Sequence, residues 1–265
     1  MQFVFEIILP SGLKVKNLFL TFKLSVLNGS MHLIGILGSY ANRILLPNQI
    51  SEGSLINWLD GADPNNDSNA IPSSGTNIPI WYNKVSDSNA TASSAGTFVG
   101  GISFTGSQRY QFTPGSLATY TAFIVASPSS VQGTYVYTTT NGNNQLQANY
   151  NLTNPYALVN GPGASTYFFG GGSGSGFPRN LLSWTITPSS FSNYYMGRQN
   201  YGYSGSTTAT IINTIGSNFS GIIYEIILYS TVLSKVDRQN VEGYLATKWN
   251  MQTLLINSHP YFIPT

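Results

Sequence analysis

From residue 54 onward the chain consists of short runs rich in Val, Ile, Thr, Tyr and Phe, separated by clusters of Gly, Asn, Pro and Ser. Branched and aromatic residues favour strands, and the separating residues favour turns. Many short strands with turns between them are typical of a two-sheet sandwich or a barrel. We therefore predict an all-β fold. Residues 221–229 (GIIYEIILY) are almost continuously apolar, which predicts a central strand buried on both faces, where Glu225 needs a partner or an exposed position.

One helix is predicted near the C-terminus. Ser234 and Asp237 have the spacing of a capping box, in which the serine satisfies a free N–H at the start of a helix. Apolar side chains then recur at helical spacing and form one face: Val241, Tyr244, Leu245 and Trp249. We expect this helix to lie against the sandwich.

Residues 1–50 differ from the rest and are predicted as a separate N-terminal arm or as extra strands, with the sandwich in residues 51–265. Three apolar runs occupy residues 3–9, 18–27 and 32–37. None reaches the roughly 18 uninterrupted apolar residues that a membrane-spanning helix needs. Three alternatives remain open: strands of the sandwich, an arm packed on a neighbouring subunit, or an upstream extension with Met31 as another start.

The charge balance excludes several functions. Only 8% of the residues are charged, the net charge is +2, and there is no basic cluster, so nucleic-acid binding is not expected. The absence of cysteine excludes disulfides, zinc fingers and thiol catalysis. A polar but nearly uncharged surface suits an extracellular or virion-surface module, or a subunit of an assembly.

Too few ionisable groups remain for catalysis, so we expect no enzyme. Glycoside hydrolysis needs two carboxylates that flank the scissile bond. The only glutamates are Glu6, Glu52, Glu225 and Glu242, and no predicted strand carries a pair of acids on one face. A serine triad has only His32 and His259 to draw on, and neither lies near a recognisable nucleophile motif.

An acidic loop offers the one candidate for a cofactor. Asp60, Asp63 and Asp67 lie in the segment DGADPNND, and hard oxygen ligands of this kind suit calcium. The EF-hand spacing is absent, however, and Asp, Asn and Pro are also ordinary turn residues. We favour the structural turn, and otherwise expect no cofactor.

A tyrosine-rich segment, residues 193–203 (NYYMGRQNYGY), is the best candidate for a binding surface. Aromatic faces beside amides suit both glycan recognition and protein interfaces. The candidate residues are Tyr194, Tyr195, Arg198, Asn200, Tyr201 and Tyr203. Packing between neighbouring strands is an equal alternative for the tyrosines.

Four segments taken together resemble a known family. They are residues 54–63 (SLINWLDGAD), 221–229, 238–249 (RQNVEGYLATKW) and 259–261 (HPY). The chain resembles the laminin-G-like, concanavalin A-like jelly-roll modules common in large DNA viruses of algae and protists, in phages and in some bacterial surface proteins. The resemblance covers roughly residues 51–262 and is most specific at the C-terminal end.

The resemblance implies a concanavalin A-like two-sheet jelly-roll sandwich with one C-terminal helix. It also implies a set of structural signature residues. We interpret them as parts of the core and of the elements that close the domain, rather than as catalytic groups: Trp58, Glu225, Glu242, Tyr244, Trp249 and His259. Some relatives by fold hold calcium at a loop rim.

The function that the resemblance implies is a non-enzymatic virion structural protein, a minor capsid or capsid-surface subunit. Its partners would be other capsid proteins or copies of itself, and its location the virion. The alternative is a carbohydrate-binding, lectin-like module that attaches to host or cell-wall glycans from an extracellular or cell-surface position.

Overall fold

The computed structural model divides the chain into two compact units, Met1–Arg43 and Ile44–Thr265. It describes residues 4–8, 14–19, 22–27, 30–35, 44–51, 53–68, 70–113, 117–129, 133–137, 145–148, 156–159, 166–169, 179–204, 213–216 and 219–265. For the strands before residue 36 and between 130 and 178, and for Tyr201 and Tyr203, it describes only the backbone. Residues 44–50, grouped with the N-terminal segment in the sequence analysis, belong to the second unit.

The first unit contains two antiparallel hairpins. Strands β1 (Val4–Ile8) and β2 (Lys14–Phe19) form the first, and β3 (Phe22–Leu27) and β4 (Ser30–Gly35) form the second. Each hairpin is a two-stranded sheet of its own in the described part of the unit.

The second unit is built from short antiparallel strands. They are β5 (Leu55–Asp60), β6 (Asn77–Trp81), β7 (Ala90–Phe98), β8 (Ile102–Thr105), β9 (Arg109–Gln111), β10 (Tyr120–Pro128), β11 (Gly133–Tyr137), β12 (Gln145–Ala148), β13 (Tyr156–Val159), β14 (Thr166–Phe169), β15 (Asn180–Thr187), β16 (Ser190–Tyr195), β17 (Arg198–Ser204), β18 (Thr214–Gly216) and β19 (Ser220–Tyr229). Helix α1 spans Lys235–Lys248, and 3-10 turns span Pro47–Gln49 and Gln252–Leu254.

The hydrogen-bonded strand order is β14-β13-β12-β11-β18-β9-β7-β8-β19-β10-β15-β16-β17, with β5 also paired to β19 and β6 to β7. Strands far apart in sequence, such as β5 and β19, are therefore neighbours. The prediction of an all-β sandwich closed by one C-terminal helix is confirmed for the described residues.

Two hydrophobic cores lie on opposite faces of the central strands. The inter-sheet core collects side chains from most strands, including Leu59, Trp81 and Ile124. The helix-side core lies under α1 and includes Phe123 and Val125. Because successive side chains of a strand point to opposite faces, β10 supplies both cores and is buried throughout nearly all its length.

Strand β19 supplies both cores as well, but a β-bulge interrupts its alternation. Val125 of β10 pairs with Glu225, and the next residue, Ala126, pairs with Ile223, so that Tyr224 is the extra residue. A bulge reverses which face the following side chains occupy. Ile223 therefore faces the inter-sheet core, whereas both Tyr224 and Glu225 face the helix side.

Helix α1 begins where the capping box predicts. The Ser234 hydroxyl accepts a hydrogen bond from the Asp237 backbone N–H (3.1 Å) and donates to the Asp237 carboxylate (2.8 Å). Val241 and Leu245 are completely buried against the sheet. The close approach at Gly243 is made by the C-terminal tail, because a Cβ there would lie 2.3 Å from the Tyr261 ring.

Candidate functional site

Four of the signature residues meet at Glu225. The indole of Trp58 donates to its Oε1 (2.7 Å), as does the Tyr244 hydroxyl (2.9 Å). The indole of Trp249 donates to Oε2 (2.6 Å), and the Lys248 ammonium lies 2.8 Å from the same oxygen. We call these five residues the Glu225 cluster. It joins β5, β19 and α1 through one carboxylate.

Burial raises the pKa of Glu225, because the charged form loses its hydration. The neighbouring Lys248 opposes that rise, and the two indole N–H groups can only donate, so they favour the ionised form. Burial, and the charge of Glu225, raise the pKa of Tyr244 far above its ordinary value, so its phenol keeps the proton that it donates. The other four residues of the cluster thus all direct an N–H or O–H group at the Glu225 carboxylate.

The remaining two signature residues meet in a second set, the Glu242 cluster. Ser183 of β15 donates to Oε1 of Glu242 (2.7 Å), and Arg238 pairs with the same oxygen at 2.5 Å. His259 Nε2 lies 3.1 Å from Oε2, while its Nδ1 accepts from the Tyr261 backbone N–H (3.3 Å). The cluster ties the helix to the sheet and to the C-terminal tail.

Ser183, His259 and Glu242 are the residue types of a hydrolytic triad, but their connections differ from those of a triad. In a triad the serine hydrogen-bonds the histidine. Here serine and histidine both bond the carboxylate, and all three side chains are buried at 4% exposure or less. This arrangement links the helix to the sheet and the tail, and none of the three side chains is accessible as a nucleophile.

The acidic loop is ion-paired with lysines. Asp60 lies 2.6 Å from the Lys248 ammonium, and Asp63 lies 2.6 Å from that of Lys84. The other Asp63 oxygen accepts from the Asp67 backbone N–H (2.9 Å), as expected for a turn. No group of three or more acidic or histidine side chains within the described ranges is close enough to hold a metal ion. Calcium binding here would have to displace both lysines.

The tyrosine-rich segment forms the hairpin of β16 and β17. Half-buried Tyr194 lies under the Arg238 guanidinium, 3.6 Å from the centre of its ring. Half-buried Tyr195 donates to the Asn180 side chain (2.8 Å) and packs against both cores. Arg198 and Asn200 are exposed. Tyr201 and Tyr203 lie outside the described side chains, so the prediction for them stays open.

A groove of about 390 Å³ runs between this hairpin and the start of α1, and we call it the helix–hairpin groove. Tyr194, Arg198 and Gln199 form the hairpin wall, and Lys235 and Gln239 belong to the helix wall. Residues 185, 197, 232, 233, 238, 256 and 258 complete it. Two residues of the predicted patch, Tyr194 and Arg198, therefore share one concave surface.

A second groove, of about 640 Å³, lies at the edge formed by β7 and β9. Asp87, Asn89, Gln111 and Asn213 are among its lining residues. Several of these polar groups are already used locally: the Asn89 side chain accepts from the Asn83 backbone (2.9 Å). Residues 114–116 and 205–212, which adjoin the lining residues Thr113 and Asn213 in the sequence, are outside the described residues.

Sequence reasoning missed Ser183, Arg179 and Lys235. Arg179 bonds the Trp249 carbonyl (2.6 Å) and stacks 4.0 Å from the Tyr224 ring. No sequence motif marks these residues, because their partners are more than forty positions away or belong to a groove made from separate segments. Arg238, by contrast, lies one helical turn before Glu242, a spacing that indicates an ion pair.

None of the described helices is long and apolar enough to cross a membrane.

Comparison with known proteins shows a fold and no family. No family model and no curated protein matches the chain. Trypanosoma rangeli sialidase in complex with sialic acid is similar over 77% of this chain and 35% of its own, with a TM-score of 0.54 and 12% identity. The same sialidase in complex with the inhibitor DANA is similar over 84% of this chain and 42% of its own, with a TM-score of 0.51 and 11% identity.

A third structure is domain 4 of AbnA, a GH43 extracellular arabinanase from Geobacillus stearothermophilus, in complex with arabinotriose. It covers 69% of this chain and 96% of its own at 16% identity, but its TM-score of 0.45 is too low to establish a shared fold. The chain spans about a third of the first sialidase structures that it matches. The likeness to the sialidase structures supports the β-sandwich fold.

Proposed function

We propose that residues 44–265 are a carbohydrate-binding, lectin-like module without catalytic activity, and that the helix–hairpin groove is its binding site. The observation that carries this proposal is the groove itself. It combines a half-exposed tyrosine with amide and hydroxyl side chains on one concave surface. Saccharides offer apolar C–H faces and many hydroxyls, and such a lining can contact both.

The walls of the groove are fixed in position by the Glu242 cluster and by a backbone hydrogen bond at the hairpin turn. Arg238 belongs both to its wall and to the Glu242 cluster, and Ile256 donates its backbone N–H to the Met196 carbonyl (3.1 Å) at the hairpin turn. A site whose walls are fixed before binding loses less entropy on binding. A preformed groove therefore suits recognition of flexible, weakly binding ligands such as glycans.

The solved structures with a similar fold support a glycan partner. The sialidase similar to this chain was solved with sialic acid. At 12% identity the likeness concerns the fold, so the groove residues of this chain carry the proposal.

A glycan array on the intact protein tests the proposal, followed by titration with the best ligand. We expect selective binding that Tyr194→Ala and Gln199→Ala each weaken by about tenfold, the loss of one well-placed contact. Gln111→Ala, in the second groove, is the matched control and should leave the affinity unchanged. Absence of binding, or loss with the control alone, would contradict the assignment.

The absence of catalysis has its own test. The glutamates of the described second unit, Glu225 and Glu242, are completely buried in hydrogen-bonded clusters. We expect no release of reducing sugar from any glycan that the array identifies. Turnover abolished by a change at either glutamate, in a variant that still folds, would establish an enzyme instead.

A virion structural role is the second candidate. It is favoured by the first unit, whose hairpins form sheets separate from the large sheet. Mass photometry of the full chain tests it: defined assemblies at micromolar concentration are expected for a capsid or virion-surface subunit, and a monomer at all concentrations contradicts it.

A further inference from the structure

The helix–hairpin groove is unusual for its charge. Three basic side chains line it: Arg198, Lys235 and Arg238. Among the described residues that line it there is no aspartate or glutamate. In a chain with only 11 basic residues in all, three on one concave surface are a marked concentration.

Two of these three charges are uncompensated. Arg238 is paired with Glu242, which neutralises it. Arg198 and Lys235 are exposed, and neither has an ion-pair partner among the described residues. Lys235 is also the first residue of α1, where the helix dipole adds positive potential. The side chains that line the groove thus carry a net positive charge.

The hairpin turn sets the position of Arg198. Met196 and Gly197 both have positive φ, 49° and 75°, as in the tight turns that suit β-hairpins. Met196 is buried, and its N–H bonds the Leu181 carbonyl (3.0 Å). A Cβ on Gly197 would lie 2.6 Å from the His259 ring, so the turn packs directly on the Glu242 cluster. Arg198 is the next residue, so the same turn fixes the position of its backbone.

We propose that the ligands of this groove are acidic saccharides, whose carboxylate is bound by Arg198 and Lys235 while the sugar ring lies along Tyr194. This inference rests on the proposed function and specifies its ligand class. A guanidinium binds a carboxylate through charge-assisted hydrogen bonds, which are about twice as strong as neutral ones. A neutral sugar would leave two desolvated cations without a partner.

Two pairs of acidic and neutral probes test the role of the acidic group, by calorimetric titration of the intact protein. Oligogalacturonate and its methyl ester differ only in carboxylate charge along the chain, and sialyllactose and lactose differ by one terminal acidic residue. We expect the acidic member of at least one pair to bind about tenfold or more tightly. The preferred pair distinguishes a repeating uronate from a terminal acid.

Variants locate the effect. Arg198→Gln and Lys235→Gln should each lower affinity for the acidic probe about tenfold and change affinity for the neutral one less than about twofold. Arg109→Gln, which removes the same charge from β9, is the control. Added salt should weaken acidic binding selectively, because it screens exposed charges.

The outcomes separate the two proposals. Equal binding of both members of each pair, unchanged by Arg198→Gln and Lys235→Gln, overturns the acidic class and leaves a neutral-glycan module. If no saccharide binds in the array or the titrations, the proposed function fails as well.

Discussion

The two cores of the sandwich unit are stabilised in different ways. The inter-sheet core contains no buried carboxylate among the described side chains and is rich in edge-to-face aromatic contacts, such as Phe104 with Phe219 at 5.6 Å and Trp81 with Tyr110 at 6.1 Å. The helix-side core has two completely buried carboxylates at its centre, Glu225 and Glu242. Both cores hold the same central strands, so the difference lies in what each packs against.

This difference separates the stability of the sheets from the position of the helix. Apolar burial is non-directional and tolerates repacking. A carboxylate whose partners are indole, hydroxyl, guanidinium and imidazole groups accepts only one arrangement of them, because a buried donor left unpaired is costly. The helix-side core thus fixes α1 and the tail, and with them the walls of the groove.

The largest expected effect comes from removing the carboxylate at the centre of the Glu225 cluster. Glu225→Leu leaves two buried indole N–H groups and the Tyr244 hydroxyl without their acceptor, and should lower the free energy of unfolding by about 3–5 kcal/mol in urea denaturation. Ile226→Leu, its neighbour on the inter-sheet face, should cost less than about 1.5 kcal/mol. Equal losses would remove the contrast between the cores.

The stability that Tyr110 gives to the inter-sheet core should be lost at alkaline pH. Burial raises the pKa of Tyr110 to about 12, from 10.0. A raised folded-state pKa means that the stabilisation is complete below pH 10 and is lost as the pH rises to about 12. The loss should be about 3 kcal/mol, since the two pKa values differ by about two.

Urea midpoints measured at intervals from pH 8 to pH 12 show this loss. The Tyr110 hydroxyl donates to the Ile78 carbonyl (2.6 Å) and accepts from the Gly96 N–H (2.9 Å). Tyr110→Phe should therefore be less stable at pH 8 but decline less steeply above pH 10. An unchanged slope in the variant would show that other groups control the alkaline transition.

A smaller effect is expected at the joint between sheet and helix. Ser183→Ala removes one buried hydrogen bond to the Glu242 carboxyl group and should cost about 2 kcal/mol in the same denaturation experiment. Ser189→Ala, in the exposed turn after β15, should change stability by less than about 0.5 kcal/mol. If the two serines cost the same, the Glu242 cluster contributes no directional stabilisation.

Calcium should have the smallest effect. The carboxylates of Asp60 and Asp63 already have lysine partners at 2.6 Å, so the helix-side network is balanced by the protein's own cations. Millimolar calcium should shift the melting temperature by less than about 1 °C relative to EDTA in differential scanning fluorimetry. A rise of several degrees would place a metal in the acidic loop.

Local patterns predicted the elements well. The capping box at Ser234 marked the start of α1, and the continuous apolar run predicted β19 as a central strand. Both signals depend on neighbours in the sequence. The need of Glu225 for a partner was also foreseeable, since a lone acid in such a strand cannot stay unpaired.

The identity of that partner was not foreseeable. Trp58 lies 167 positions away from Glu225 and meets it through the pairing of β5 with β19. The resemblance implies Trp58 and Trp249 as residues of the core and closure, and the structure shows that both also donate hydrogen bonds to Glu225. The groove was missed for the same reason, because its walls come from segments that only the fold brings together.

The bulge in β19 also has a practical meaning for anyone who edits this strand. Odd-numbered side chains face the inter-sheet core up to Ile223, and even-numbered ones do so from Ile226 onward. Deleting Tyr224 would restore strict alternation, with Ile223 and Ile226 still on the inter-sheet face and Glu225 still on the helix side. The inserted residue therefore does not decide where the charge lies; it adds a second aromatic ring beside Trp249, on which Arg179 stacks.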